Sequence, residues 1–265
     1  MKIYISSDME GTAGIAHWDE TEPGKREYPY FTQLMTGEVV AACNGAIAAG
    51  ASEIIVKDAH DYARNIDILA LPKSVKLLRG WTRDPLSMMG GLDKTFDGVM
   101  FTGYHSPAGS DTNPLSHTMN TRNNYVLING ERCSELMMNC LTASYFGVPV
   151  YFVAGDAGLC RWINSVNPNI ETVETFEGIG DAVLAIHPEL SRELIKSGVE
   201  TALKQPKDKM MFPLPKHFDI EINFKNHQFA RNGGFYPGVT QTDEKTVKYS
   251  ADDYMDALKF FFWVL

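Results

Sequence analysis

The sequence predicts an α/β fold: a mostly parallel central sheet flanked by helices, with a C-terminal α+β portion. Three observations point to it. Apolar runs at 2–7, 53–56, 75–78, 98–102 and 148–154 alternate with helix-like stretches, the pattern of parallel strands joined by helical crossovers. The run Glu53-Ile54-Ile55-Val56 is compact and β-branched, as in strands covered on both faces. After about residue 165 the pattern changes, and 217–224 alternates strictly, as in an antiparallel strand with one solvated face.

The elements follow in order. Lys2 to Ser7 reads as a strand. Met35, Val39, Cys43 and Ile47 recur at spacing four and predict a long helix, with Gly50 as its stop. Tyr125 to Ile128 runs into Asn129-Gly130, a tight-turn signal. Ser134 to Phe146 predicts a helix closed by Gly147, and Val148 to Ala154 a further buried strand. Pro188 to Leu203 is amphipathic, with Leu190, Leu194, Ile195 and Val199 expected inward. Phe218, Ile220, Ile222 and Phe224 form the inner face of the alternating strand, and Lys245 to Tyr249 is its expected neighbour. Ser250 is the expected cap of a last helix, which ends in the apolar run Phe260 to Leu265. No repeat or long linker divides the chain, so residues 1–265 are expected to form one domain, with a core over about 1–165 and the α+β portion over about 166–265.

Composition narrows the function. The chain has 265 residues, 33 acidic and 24 basic, for a net charge of -9. No Lys/Arg cluster runs along it, which argues against a nucleic-acid partner. No apolar stretch reaches the ~18 residues of a membrane span, and the N-terminus does not read as a signal peptide. Cys43, Cys133, Cys140 and Cys160 form no C-x-x-C pair. Cys133 and Cys140 lie on one expected helix, ~10 Å apart along its axis, too far for a disulfide. Reduced thiols and a cytoplasmic location are the expectation.

In open α/β sheets, ligands bind beyond the carboxyl ends of the strands. Those ends carry Asp8 and Glu10, Asp58 and His60, His105, and Asp156. Asp8 and Glu10 are two apart and point to one side in extended backbone. Two carboxylates held that close repel unless a cation sits between them. The ordinary alternative is that one of them caps the segment that follows. His60 and His105 add imidazole to the carboxylates, a donor set suited to zinc or a similar divalent ion. No H-E-x-x-H motif is present.

The segments Ser7-Asp8-Met9-Glu10-Gly11, Lys57-Asp58-Ala59-His60, Gly103-Tyr104-His105, Ser116-His117-Thr118-Met119, Gly130 through Glu135 and Val153-Ala154-Gly155-Asp156 occur in this order. Together they resemble the D-aminopeptidase family of zinc metallopeptidases. The resemblance runs along most of the chain and is densest over 1–160. It implies two zinc ions held by Asp8, Glu10, His60, His105 and Glu135, with Asp8 bridging, and a catalytic role for His117. Glu135 enters only through the resemblance, because a Glu in the first turn of a helix is ordinarily a dipole partner. The family often has a second acid after the Gly-Asp pair. Here that position is Ala157, and Asp156 is given no ligand role.

The implied activity is a two-metal aminopeptidase acting on short peptides, D-amino-acid-containing ones included, through a metal-bound hydroxide. The alternatives are a two-metal amidase or esterase on another small substrate, and a metal-stabilised binding protein without catalysis. The resemblance also implies large ring-like homo-oligomers, a decamer among them. The terminal apolar run is expected to lie partly at a subunit contact.

Overall fold

A computed structural model describes residues 1–265. The strands are β1 (Lys2–Ser7), β2 (Glu53–Asp58), β3 (Val75–Leu78), β4 (Gly98–Tyr104), β5 (Asn123–Ile128), β6 (Glu131–Arg132) and β7 (Val150–Gly155). They continue with β8 (Glu171–Glu174), β9 (Phe176–Ile179), β10 (Ala182–Ala185), β11 (Phe218–Phe224), β12 (Thr240–Gln241) and β13 (Thr246–Ala251). The helices are α1 (Tyr28–Ala48), α2 (Glu135–Tyr145), α3 (Ala157–Val166), α4 (Pro188–Ala202), α5 (His227–Gly233) and α6 (Tyr254–Val264).

A six-stranded sheet of order β3-β2-β1-β4-β7-β8 forms the centre, and every pairing in it is parallel. Ile3, Ile5, Val56, Val99, Phe101 and Phe152 bury its faces in one continuous core. The chain leaves β1 toward β2 on one side and returns to β4 on the other. The strand order therefore reverses at β1, where such sheets open a crevice at their carboxyl ends. A five-stranded antiparallel sheet, β12-β13-β11-β5-β6, lies beside it, and β9 pairs with β10 in a hairpin. The α/β expectation holds, and the C-terminal antiparallel pair β11–β13 forms with all four inner residues of β11 buried.

Three local expectations are corrected. Ile47 is exposed. A spacing of four overshoots the helical turn by about 40° per step, so the fourth residue of the series has rotated about 120° from the first. Leu190 and Leu194 are 44% and 42% exposed, because α4 turns Ser191, Ile195, Gly198, Val199 and Ala202 inward instead. Ser191 donates a hydrogen bond to buried Glu38 of α1, and Gly198 makes room for the Phe152 ring. Neither residue signals burial through hydropathy. Ser250 lies inside β13 and donates to Asp219. Asp253 caps α6 in its place, accepting the Met255 N–H at 2.7 Å. The strand ending at Asn129-Gly130 joins the antiparallel sheet, pairing with β11.

Candidate metal centre

Each candidate side chain is delivered by an element that ends at the crevice. Asp8 and Glu10 follow β1, His60 follows β2, and His105 follows β4. Glu135 opens α2, whose N-cap Ser134 accepts the Met137 N–H. Gly11 lets the β1 exit run against β4: a Cβ there would stand 1.8 Å from the Tyr104 carbonyl oxygen. The Gly11 N–H donates to Gly103 O at 2.8 Å, and Thr175 Oγ1 donates to Gly11 O at 2.6 Å. The loop holding Asp8 and Glu10 is thereby fixed by backbone contacts.

All five candidate ligands converge and are buried. His60 Nδ1 lies 3.3 Å from Asp8 Oδ1 and 3.0 Å from Glu10 Oε2. His105 Nε2 lies 3.5 Å from Asp8 Oδ2 and 3.5 Å from Glu135 Oε2. One Asp8 oxygen thus faces the His60–Glu10 pair and the other faces the His105–Glu135 pair.

The tautomers follow from the outer partners. A carbonyl oxygen only accepts, so the ring nitrogen beside it carries the proton. His60 Nε2 donates to Thr21 O at 2.9 Å, and His105 Nδ1 donates to Ser106 O at 2.9 Å. In the neutral rings, the other nitrogens therefore present lone pairs to carboxylate oxygens. Such backbone anchoring of the far nitrogen is the usual support of a metal-ligating histidine. Asp8 Oδ2, Glu10 Oε2 and His105 Nε2 are buried without any hydrogen-bond partner.

This donor set fits divalent cations. Lone pairs and carboxylates facing one another in a buried site repel unless a positive charge sits between them. A tetrahedral zinc with bonds of about 2.0–2.1 Å sets its ligand atoms about 3.3 Å apart. The separations here run from 3.0 to 3.5 Å. Asp8, Glu10 and His105 offer atoms within 4.8 Å of one another, as do His105, His117 and Glu135.

Without a cation, protons would take its place. Burial alone would lower the His60 pKa, but the Glu10 charge and the hydrogen bonds a protonated ring would donate to Asp8 and Glu10 hold it well above the usual range. His105 is likewise carried to about 10 against burial, chiefly by Glu135. Burial raises Asp8, reinforced by Glu10 and Glu135. Burial would raise Glu135 too, yet His105 and His117 bring it to about 2.

His117 stacks on His105 with ring centroids 4.3 Å apart, and Trp18 packs edge-on against it at 5.3 Å. Its Nδ1 donates to Leu115 O at 2.9 Å, and its Nε2 stands 3.5 Å from Glu135 Oε1. That Glu135 oxygen also accepts the Met119 N–H at 2.6 Å. Burial and then the His105 charge lower the His117 pKa.

Asp156, unassigned from sequence, is fully buried and caps α3. It accepts the Ser106 N–H at 2.6 Å, the Ser106 hydroxyl and the Leu159 N–H. Asn113 Nδ2 bridges from it to the Glu10 carbonyl, 3.2 Å on each side. Asp156 thus steadies the backbone beside His105 and Glu10 without facing the ligand cluster. The signal that could have found it is the Gly-Asp pair at a strand exit opening a helix. Asp8, Glu10, His60, Glu135 and His117 line one cleft of about 480 Å³, and buried His105 is not part of its lining.

Residues 1–262 match the profile of the D-aminopeptidase family. A D-aminopeptidase of Bacillus subtilis strain 168 is 33% identical over 261 residues, covering 97% of this chain and 94% of its own. The solved structure of a zinc-dependent D-aminopeptidase from Bacillus subtilis, described as a self-compartmentalizing protease, superposes with a TM-score of 0.91. It is 31% identical, with 98% of this chain and 95% of that one covered. With the family profile spanning nearly its whole length, this chain belongs to the D-aminopeptidase family of metal-dependent hydrolases.

Proposed function

We propose that this chain is a zinc-dependent aminopeptidase for short peptides, D-amino-acid-containing ones included. Asp8, Glu10, His60, His105 and Glu135 would hold two ions, with Asp8 shared between them. The carrying observation is the position of Asp8, one oxygen toward each imidazole–carboxylate pair. Bound there, two divalent cations would polarise a peptide carbonyl and acidify a water beside it.

The chain's own part is proton handling and orientation. His117 Nδ1 keeps its proton on Leu115 O, which leaves Nε2 as the basic atom. Its lowered pKa keeps Nε2 unprotonated near neutral pH. Nε2 takes the proton of the attacking water and delivers it to the departing amine, so the ring ends each cycle as it began. Stacking on His105 and the edge of Trp18 fix its plane. The lining acids outside the ligand cluster, Glu22, Asp61 and Asp84, favour an incoming substrate ammonium.

The test pairs metal analysis with a panel of matched D- and L-aminoacyl p-nitroanilides. We expect about two zinc ions per chain and turnover that is lost on chelation and restored by zinc. A chain free of metal and fully active in strong chelator overturns the proposal.

Residues 1–265 act as a single catalytic unit in this reading. We place it in the cytoplasm, on the support of four buried free thiols. No helix is long and apolar enough to cross a membrane. We also propose a large homo-oligomer, ring-like and decameric, supported by the self-compartmentalizing description of the related structure.

A further inference from the structure

We infer that Arg83 binds the free α-carboxylate of the peptide substrate and so makes the cleft selective for short peptides with an unblocked C-terminus. This rests on the aminopeptidase reading above and adds a specificity-determining residue to it.

Arg83 is the one Lys or Arg lining the cleft, whose lining outside the ligand cluster also carries the acids Glu22, Asp61 and Asp84. A short peptide with both ends free is a zwitterion. Those acids suit its ammonium and repel its carboxylate. Away from the ligand cluster, Arg83 is the one cationic side chain of the lining that offers the second charge a counterpart. A guanidinium presents a planar fork that matches a carboxylate in two parallel hydrogen bonds.

The loop around Arg83 is held firmly while its side chain is left unengaged. Before it, Gly80 N–H donates to Ala63 O at 2.7 Å. The buried Lys57 ammonium donates to Gly80 O at 2.8 Å and sits 4.4 Å from the Trp81 ring centroid. Trp81 Nε1 donates to Asp61 O at 2.8 Å. After it, Asp84 Oδ1 accepts the Leu86 N–H at 2.9 Å, and Asp84 O accepts the Ser87 N–H at 3.1 Å. The ion-paired arginines of the chain are Arg161 and Arg192; Arg83 has no acid within that range.

The backbone adds a second observation. Arg83 has φ +62°, a left-handed conformation that costs a side-chain-bearing residue energy. Six non-glycine residues in the chain have positive φ, and four of them, Asp61, Arg83, Ser87 and Met119, line this one cleft. Such conformations persist where the surroundings enforce them, and they concentrate at ligand sites. A cleft of about 480 Å³ suits a short peptide.

The experiment compares kcat/KM of the zinc-loaded enzyme on an alanyl-alanine dipeptide, of the handedness it turns over, with kcat/KM on the same dipeptide as its C-terminal amide. The wild type is expected to favour the free acid by about tenfold. Arg83→Ala should bring that ratio near one, mainly through KM on the acid. Arg83→Glu should reverse it, and Arg83→Lys should keep part of it. Light scattering on each variant monitors assembly. A ratio that is the same in wild type and Arg83→Ala overturns the inference. So does a variant whose assembly mass falls, since that reassigns Arg83 to a contact between copies. A wild type that cleaves acid and amide equally leaves the aminopeptidase reading standing and removes this one. A wild type that cleaves neither removes both.

Discussion

His60 and His105 are built alike. Each gives one N–H to a backbone carbonyl and turns the other nitrogen toward two carboxylates. His117 shares the first half of that plan, but its second nitrogen meets only Glu135 at the edge of the cluster. We therefore expect His60→Ala and His105→Ala to lose bound zinc and most turnover, and His117→Ala to lose turnover while retaining zinc. Equal zinc loss in all three would make His117 a ligand. The pH profile gives a second measure. Protonation of His117 Nε2 removes the base, so kcat should fall in acid, and because burial opposes the imidazolium form the fall should lie below the ordinary histidine range. His117→Ala should lack this acid limb in its residual rate. Asp8, Glu10, His60 and His105 were legible in the sequence because strand exits are few and each carries a charged or imidazole side chain. Glu135 was not legible on its own residues. A first-turn Glu ordinarily serves the helix dipole, and only the fold shows its carboxylate buried beside His105.

At the scale of elements, hydropathy located most strands and both long helices, and it failed where polar or small residues are buried. α4 is the clearest case: its inner face carries Ser191 and Gly198 while Leu190 and Leu194 face water. What Ser191 meets explains this. Glu38, buried in α1, accepts the Ser191 hydroxyl at 2.8 Å and the Ala13 N–H at 3.0 Å. It joins α1, α4 and the segment just beyond Glu10. Burial pushes the Glu38 carboxyl up to about 7, against the hydrogen bonds from Ala13 and Ser191 and the nearby Arg192. The folded chain thus holds the proton more tightly than the unfolded chain, where the ordinary value is 4.5. The stability this gives is fully present below the unfolded value and is lost as pH rises through about 7. Glu38→Gln keeps an acceptor for Ala13 and Ser191 and cannot ionise. Its stability relative to wild type should rise by about 1–3 kcal/mol across that window. Chemical denaturation at a series of pH values measures this, and a pH-independent difference would refute it.

At the scale of the molecule, the end of α6 remains unaccounted for by a lone copy. Phe260 and Phe261 pack into the chain's own core, but Phe262 is 37% exposed and Trp263 69%. The sequence pattern marked the whole run as apolar, and a single chain fully buries only Phe260 and Phe261 of it. Exposed aromatic surface of this kind is ordinarily covered by a partner. Phe262 also lines the metal cleft, so a second copy seated on this end would narrow the approach to the ligands as it buries Trp263. That couples assembly to access. Light scattering of the purified protein should give a mass several times that of the 29.5 kDa chain. Trp263→Asp should lower that mass, since an unpaired charge buried at a contact is costly. A single 29.5 kDa species across dilutions would leave Trp263 an exposed residue of a monomer and would remove the physical basis for an enclosed active site.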